Sequence, residues 1–379
     1  MSYRGLTWDH PRGYVALEAA ARQWGETDGV EIAWERQPLE GFESHPIADL
    51  CGRYDIIVLD HPHLGEAVAA GVLQPLDAIL GPATMADIAR HTVGACLSSY
   101  KLDGQHWALP LDAASQVMAL RPDLLDGPVP VLWSEVGELS RRTGRVPLSL
   151  AGPHALLTLT SMALAFGDQP GASETYLADT PGRQAIELFY ELAALSPASC
   201  RDDNPIGLLE RLSGSTDIVL APLVFGYVTY AGADRAARLA FHNPPRVAAG
   251  GPLGSVLGGT GIALTGRCRP TDGLVVHLRR LLGSAAQVEF IPNHAGQPSR
   301  RAAWTDQQVN ADWGQFYAQT LQTLEQAYVR PRHNGYMQFQ QRAAELVRDA
   351  AIRRPPSTRL IDALNQLYAE HRPSRVEEE

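Results

Sequence analysis

Two short segments carry side chains that can bind or transform a small polar molecule. Trp8 and His10 lie in the first, where an indole face and an imidazole can pack against a ligand and hydrogen-bond to it. Asp60 and His61 lie in the second, where a carboxylate can accept from hydroxyls and an imidazole can donate to a hydroxyl or carboxylate. These residue types suit the recognition of a hydroxylated or carboxylated solute, and they also suit acid–base catalysis.

Metal, nucleophile and phosphate-loop chemistry have weaker support. His61 and His63 lie beside Asp60, but two histidines at i and i+2 in a loop, with no third ligand identified, do not make a metal site. We therefore predict no metal and no other cofactor. The sequence contains no GxSxG motif, and the glycine-rich segment 250–261 lacks the Lys-Ser/Thr that ends a phosphate loop.

Further candidate ligand contacts lie later in the chain. Tyr227 follows a buried apolar run and can provide an aromatic platform. Gly258, Gly259 and Thr260 can present backbone amides to a ligand, and a tight hinge turn is the equally favoured alternative.

The elements that must position the first two segments form a βαβ-like start. The pattern predicts a strand at 4–7, a helix at 14–24 and a second strand at 30–34. The run 54–60 is predicted to be a strand buried on both faces. Open α/β sheets bind ligands beyond the carboxyl ends of their strands, so the turns after the first and third strands are expected to face one crevice.

Two charged neighbours of this first turn are given structural roles. We expect Asp9 to cap the following helix and Arg12 to be solvated.

Length and charge limit the classes of function. A chain of 379 residues predicts two domains, and a net charge of -10 without a basic stripe argues against nucleic acid. Four scattered cysteines without a CxxC pair predict reduced, buried thiols. No run of about 18 apolar residues predicts a membrane span. The first twelve residues do not resemble an export signal, so we expect a cytoplasmic chain, or a periplasmic or extracellular one if a leader has been removed.

The order of several motifs resembles that of extracellular solute-binding protein family 1, the sugar-type receptors of ABC importers. Those motifs are, in chain order, DIIVLD at 55–60, WALPLD at 107–112, WSEVGEL at 133–139, GGTGIAL at 258–264 and GQPSRR at 296–301.

The resemblance implies an α/β, two-lobed type II periplasmic-binding-protein-like fold. Each lobe is expected to be a mixed sheet flanked by helices, with the ligand cleft between the lobes. The implied boundaries are 1–109 plus 264–306 for the N-lobe, 110–263 plus 307–370 for the C-lobe, and 371–379 for a disordered tail.

The resemblance also implies ligand contacts from Asp112, Gln297, Arg300 and Tyr336. For Asp112, a structural bond to hinge amides is nearly as well supported. For the arginines, the alternative is that Arg300 or Arg301 only bridges the lobes. The expected function is capture of a small polar ligand, a sugar or another hydroxylated or carboxylated compound, by hinge closure. An ABC importer permease is the expected partner if the protein is exported.

Two other functions stay open at this stage. The first is a cytoplasmic enzyme on the same fold, acting on a small carboxylate-bearing substrate with His10, Asp60, His61 and Asp112 as acid–base groups. The second is a cytoplasmic sensor that reports the ligand to a partner. We favour a binding protein over an enzyme. Fold alone does not define function, so the enzyme and the sensor both stay open.

Overall fold

The computed structural model describes residues 2–373, and most of the predicted tail, 374–379, lies outside the described residues. The chain divides into two compact units. The first unit comprises the chain up to Ala114 together with Tyr227–Gly232 and Gly258–Glu325. The second comprises Ser115–Gly226, Ala233–Leu257 and the chain from Gln326 onward.

Strands and helices alternate through the first third of the chain, as predicted. The strands are β1 (Ser2–Trp8), β2 (Glu31–Gln37), β3 (Ile56–Leu59), β4 (Lys101–Leu102), β5 (Gln105–His106), β6 (Leu109–Leu120), β7 (Leu220–Phe225), β8 (Ala240–His242) and β9 (Leu257–Leu264). The helices are α1 (Pro11–Asp28), α2 (Leu39–Ser44), α3 (Ile47–Cys51), α4 (Leu64–Ala69), α5 (Asp77–Leu80), α6 (Pro82–His91), α7 (Trp133–Thr143), α8 (His154–Ala165), α9 (Asp179–Leu195), α10 (Pro205–Gly214), α11 (Asp272–Leu281), α12 (Ile291–Asn293), α13 (Arg301–Thr305), α14 (Gln307–Asp312), α15 (Phe316–Gln326), α16 (Tyr336–Arg353) and α17 (Ser357–His371).

The first unit is built on a mixed sheet with the order β2-β1-β3-β9. Strand β1 runs parallel to both β2 and β3, whereas β9 pairs with β3 in the antiparallel sense. All four residues of β3 are buried, which confirms the prediction of a strand covered on both faces. The carboxyl ends of β1 and β3 therefore lie side by side at one edge of the sheet.

The second unit has its own core and contains β7, β8 and the second half of β6. Strand β6 pairs in the antiparallel sense with β7 and with β8. Every residue of α8 is buried, and this helix shares one apolar cluster with α9, α16 and α17. Phe189, Phe339 and Leu364 are fully buried members of that cluster.

The two units differ from the predicted lobes in four stretches that were assigned to the C-lobe and belong to the first unit, namely 110–114, 227–232, 258–263 and 307–325. The stretch 307–325 was assigned to the C-lobe but belongs to the first unit, where the Tyr317 hydroxyl donates to the carbonyl of Gly296 at 2.8 Å. The short segment Tyr227–Gly232 also belongs to the first unit, because Val228 N donates to the side chain of Gln297 at 2.8 Å. Both ties join residues distant in sequence, so the motif order did not reveal them.

The glycine-rich segment before residue 262 was expected to be a turn, but its last part is the start of β9. Gly259 has a φ of +91°, and a Cβ there would collide with the backbone of Asp112 and Ala113. Glycine is therefore required because two backbones approach closely, and the segment is part of a strand and not a tight hinge turn.

Three whole-chain expectations can be compared with the described residues. All four cysteines are free and buried, as predicted. Within residues 2–373, no helix has the length and apolar character needed to cross a membrane. The same residues contain no group of three or more potential metal-ligating side chains.

Candidate functional site

Five buried side chains meet at the carboxyl end of β1, and we call them the Trp8 cluster. Its members are Trp8, His10, Arg12, Asp112 and Tyr227, all in the first unit. His10, the most exposed of them, is 7% exposed. The sequence placed four of these residues among its ligand contacts, and the structure brings those four together.

The aromatic part of the Trp8 cluster consists of three rings. The rings of Trp8 and His10 are stacked, with centroids 5.3 Å apart and planes 10° apart. Tyr227 meets both rings edge-on, 5.8 Å from Trp8 and 4.8 Å from His10. Edge-to-face and stacked arrangements of this kind are the favoured ones for aromatic rings, so the three side chains hold one another in place.

The charged part of the Trp8 cluster is an ion pair between Arg12 and Asp112. Arg12 Nε donates to Asp112 Oδ1 at 2.8 Å, and Nη2 donates to Oδ2. The guanidinium also lies over the Trp8 ring at 5.4 Å and the Tyr227 ring at 4.8 Å. Burial alone would lower the pKa of Arg12, but the Asp112 carboxylate outweighs it and the pKa is raised, so Arg12 is charged.

The expected roles of Asp9 and Arg12 were both wrong. Arg12 is buried in the ion pair and not solvated, because a buried Asp112 needs a compensating charge. The helix cap is His10, whose Nδ1 accepts from the backbone N of Arg12 at 3.1 Å, while Asp9 is exposed and lies 3.8 Å from Arg36. Pro11 at the start of α1 favours the helical backbone immediately after this cap.

The turn between β1 and α1 is fixed by close packing around Trp8. A Cβ at Gly13 would overlap the pyrrole edge of the Trp8 indole, so only glycine fits beneath it. Thr7 Oγ1 donates to the Gly13 carbonyl at 2.9 Å and closes the same turn. The indole N–H of Trp8 is buried and has no acceptor among the described residues. Buried donors normally have a partner, so this unsatisfied N–H makes Trp8 a candidate donor to a ligand oxygen.

Asp60 and His61 follow β3, one strand away from the Trp8 cluster. The Asp60 carboxylate caps the short turn His61–His63 by accepting from the backbone N of His61 at 2.8 Å, and it lies 3.0 Å from His61 Nδ1. His61 is fully buried, whereas the side chain of Asp60 is 20% exposed. Asp60 is therefore the more accessible of this pair.

Gln297 and Arg300 are committed to contacts within the first unit. Gln297 Oε1 accepts from Val228 N at 2.8 Å, and Nε2 donates to the Ala113 carbonyl at 2.9 Å. Arg300 donates through Nε to the Leu282 carbonyl at 2.9 Å and pairs with Asp87. Both side chains hold the fold at these contacts, and their predicted ligand contact stays a prediction.

The remaining predicted site residues lie in different surroundings. Gly258 and Thr260 are on β9, and Thr260 is buried. Tyr336 begins α16 in the second unit, where its ring packs 5.8 Å from Phe339 within an aromatic core. Their predicted ligand contacts also stay predictions.

Sequence reasoning missed the part played by Arg12, and Phe42 was not considered. Phe42 lies 6.0 Å from Trp8 and extends the aromatic cluster. An arginine four residues after Trp8 and an aspartate a hundred residues later carry no local signal of pairing. The signal available was Asp112 itself, since an aspartate in an otherwise apolar strand predicts a buried cationic partner.

The acid–base residues of the enzyme alternative have structural partners as well. Asp112 is paired with Arg12, His10 caps α1, and Asp60 is paired with His61. Each of these groups is therefore held in place by a neighbouring residue.

Comparison with solved structures confirms the predicted fold. The chain is similar to an ABC transporter solute-binding protein from Agrobacterium radiobacter K84 in complex with ribitol, with a TM-score of 0.81, 18% identity, and 98% of each chain covered. It is also similar to maltose-bound MalE3 of T. maritima, with a TM-score of 0.81, 16% identity, and 97% of this chain and 98% of that chain covered.

A third similar structure is an ABC transporter solute-binding protein from Thermotoga lettingae TMO bound with alpha-D-tagatose, with a TM-score of 0.77, 14% identity, and 97% and 98% coverage. The chain thus has the α/β fold of the two-lobed solute-binding proteins. No protein-family model and no curated protein matches the sequence.

Proposed function

We propose that this protein is a solute-binding protein that captures a small, uncharged, hydroxyl-rich molecule at the Trp8 cluster. The observation that carries the proposal is the buried indole N–H of Trp8, which has no acceptor among the described residues and lies at the carboxyl end of a strand in this fold. A ligand hydroxyl oxygen would satisfy that donor. The full-length fold similarity to solute-binding proteins supports the same function.

Three groups supply what a hydroxylated ligand requires. The Trp8 indole supplies its N–H, and the ring of Tyr227 suits the apolar C–H faces of a sugar or the chain of a polyol. The Asp60 carboxylate, at the end of the neighbouring strand, can accept hydrogen bonds from hydroxyls. Register supports this placement, because Leu6 pairs with Ile57 and the two parallel strands end side by side.

Charge favours an uncharged ligand over a carboxylate-bearing one. The cation of the Trp8 cluster, Arg12, is already bound to Asp112, so the pair is neutral as a whole. The carboxylate of Asp60, one strand away, is a hydrogen-bond acceptor and does not attract an anionic ligand. The sequence left a carboxylate ligand open because His10 and His61, with Arg12 nearby, suit an anionic ligand.

Ligand entry requires a change in the aromatic contacts. Trp8 and Tyr227 are buried, and Tyr227 meets His10 and Trp8 edge-on. In this proposal the Tyr227 ring leaves its contact with His10 and packs on the bound ligand instead. The expected closure of two lobes around the ligand stays a prediction, which small-angle scattering with and without ligand tests.

The test of the proposed function is a thermal-shift screen followed by calorimetry. The panel contains ribitol, mannitol, tagatose and maltose, the matching sugar acids, and amino acids, and every hit is checked for chemical conversion. We expect a neutral polyol or sugar to raise the melting temperature and to be recovered unchanged, because a ligand that binds only the native state stabilises it. A hit that is consumed would favour the enzyme alternative, and binding confined to acids would contradict the charge argument.

We further propose an ABC importer permease as the partner where the protein is exported. Cell fractionation tests this role, since delivery to an importer requires the protein outside the cytoplasmic membrane. A purely cytoplasmic location with ligand binding intact would favour the sensor role instead.

A further inference from the structure

We propose that Gln297 is a positioning residue of the ligand site. It does not touch the ligand, but its side-chain amide fixes the backbone beside Tyr227 against the strand that carries Asp112. This inference rests on the proposed function and assigns to Gln297 a role different from the direct contact expected from the sequence.

The side-chain amide of Gln297 joins the residues that directly follow two members of the Trp8 cluster, Tyr227 and Asp112. Gln297 is 0% exposed, so a ligand has no access to it. Its Oε1 accepts from the N–H of Val228, the residue after Tyr227, and its Nε2 donates to the carbonyl of Ala113, the residue after Asp112. The two hydrogen bonds span 69 and 184 residues of sequence.

The backbone around Gln297 is itself anchored, so the side chain has a fixed origin. The Gln297 carbonyl accepts from Ala113 N at 2.8 Å, and Ser299 Oγ donates to the Pro110 carbonyl at 2.6 Å. These bonds lay the segment along β6 independently of the Gln297 side chain. The side-chain amide adds a hydrogen bond to Val228 N, and this bond fixes the backbone position next to Tyr227.

The link requires a donor and an acceptor on the same side chain, at the reach of glutamine. Leucine fills similar space but leaves a buried N–H and a buried carbonyl unsatisfied. A neutral glutamic acid can replace both bonds, since its hydroxyl donates and its carbonyl accepts, whereas the glutamate anion loses the donor. Burial disfavours the anion and raises the pKa of such a carboxyl, so mild acid should restore the link.

The experiment compares Gln297→Leu, Gln297→Glu and a matched control, Ser299→Ala. Ser299 is buried two residues away, and its hydroxyl holds the same segment to β6 by donating to the Pro110 carbonyl and not, among the described residues, to the segment that carries Tyr227. Each full-length variant is titrated by calorimetry with ribitol, mannitol, tagatose and maltose. The fluorescence emission of Trp8 is obtained by subtracting the spectrum of the same variant that also carries Trp8→Phe. This emission reports the aromatic contacts of Trp8 in the absence of ligand.

We expect Gln297→Leu to bind roughly tenfold more weakly than wild type, the effect of one buried hydrogen bond, and to have altered Trp8 emission. Ser299→Ala should keep its affinity and emission even where its melting temperature falls. Gln297→Glu should bind weakly at pH 8 and approach wild type at pH 5, each compared with wild type at the same pH.

Two results would overturn the inference. One is Gln297→Leu with affinity within about twofold of wild type and unchanged emission. The other is Ser299→Ala weakened as much as Gln297→Leu, which would make the effect merely structural. If wild type binds none of the panel, the proposed function fails, and the Trp8 emission of the variants still decides whether Gln297 positions Tyr227.

Discussion

Arg12 and Asp112 are 100 residues apart in the sequence and form a buried two-point ion pair in the first unit. The guanidinium also lies over the rings of Trp8 and Tyr227. This relationship connects the first turn of the chain to the long strand β6, and it is the reason that we propose an uncharged ligand for a site with an arginine at its centre.

The first prediction concerns the stability of this ion pair. Asp112→Asn should lower the free energy of unfolding by about 3–5 kcal/mol, because it leaves the Arg12 charge buried without its counter-charge. Urea unfolding monitored by circular dichroism measures the change.

The matched control is the double variant Arg12→Met with Asp112→Leu, which removes both charges. It should lose less stability than Asp112→Asn, since no unpaired charge remains buried. A loss below about 1 kcal/mol in Asp112→Asn would show that the pair is solvated in the folded protein.

The second prediction concerns the aromatic platform. Tyr227→Leu should weaken ligand binding by roughly three- to tenfold, in line with about 0.5–1.5 kcal/mol for an aromatic contact. Tyr227→Phe keeps the ring and should stay closer to wild type. Calorimetric titration of both variants makes the comparison, and equal affinity of Tyr227→Leu and wild type would remove Tyr227 from the site.

The third prediction separates the two roles of His10. His10→Ala removes the cap on α1 and should cost about 0.5–2 kcal/mol of stability, whereas His10→Asn supplies a new acceptor and should recover most of it. Both variants remove the ring stacked on Trp8, so both should bind ligand more weakly. If His10→Asn restores stability and affinity together, the ring has no part in recognition.

The fourth prediction concerns acid sensitivity far from the site, at His277. Burial lowers the pKa of His277 below 6.5, and although the facing Asp28 acts in the opposite direction, the net shift is downward. His277 Nδ1 lies 2.9 Å from Asp28 Oδ2, and Arg280 pairs with the other oxygen at 3.3 Å.

A histidine with a lowered native pKa binds fewer protons when folded than when unfolded. Its contribution therefore destabilises the protein as pH falls through about 6.5 towards the native pKa, and it is absent at higher pH. His277→Gln should lose less stability than wild type between pH 7 and pH 5, measured as the difference between two sets of urea curves. Parallel curves for the two proteins would contradict this sign.

The sequence predicted the elements with strong local patterns. Strand β3 was recognisable because its residues form a continuous apolar run, and the structure shows all four buried. Helix α1 was recognisable because its apolar residues recur at helical spacing. The full-length fold class followed from the order of motifs, which no composition argument supplies.

The sequence could not predict contacts made by residues far apart. The pairing of Arg12 with Asp112 and the bond from Gln297 to Val228 depend on how β6 and the segment after it are placed, not on any local pattern. The same is true of Gly259, whose glycine is required by the passing backbone of Asp112. These are tertiary constraints, and propensity and periodicity do not contain them.

The measurement that tests the central claim most directly is a calorimetric comparison of matched neutral and acidic ligands, such as mannitol with mannonate and glucose with glucuronate, on wild-type protein and Trp8→Phe. The proposal predicts that a neutral member of the panel binds, that its acid binds at least tenfold more weakly, and that Trp8→Phe, which lacks the indole N–H, weakens the neutral ligand. Tighter binding of the acid, or unchanged binding of the neutral ligand by Trp8→Phe, would contradict it.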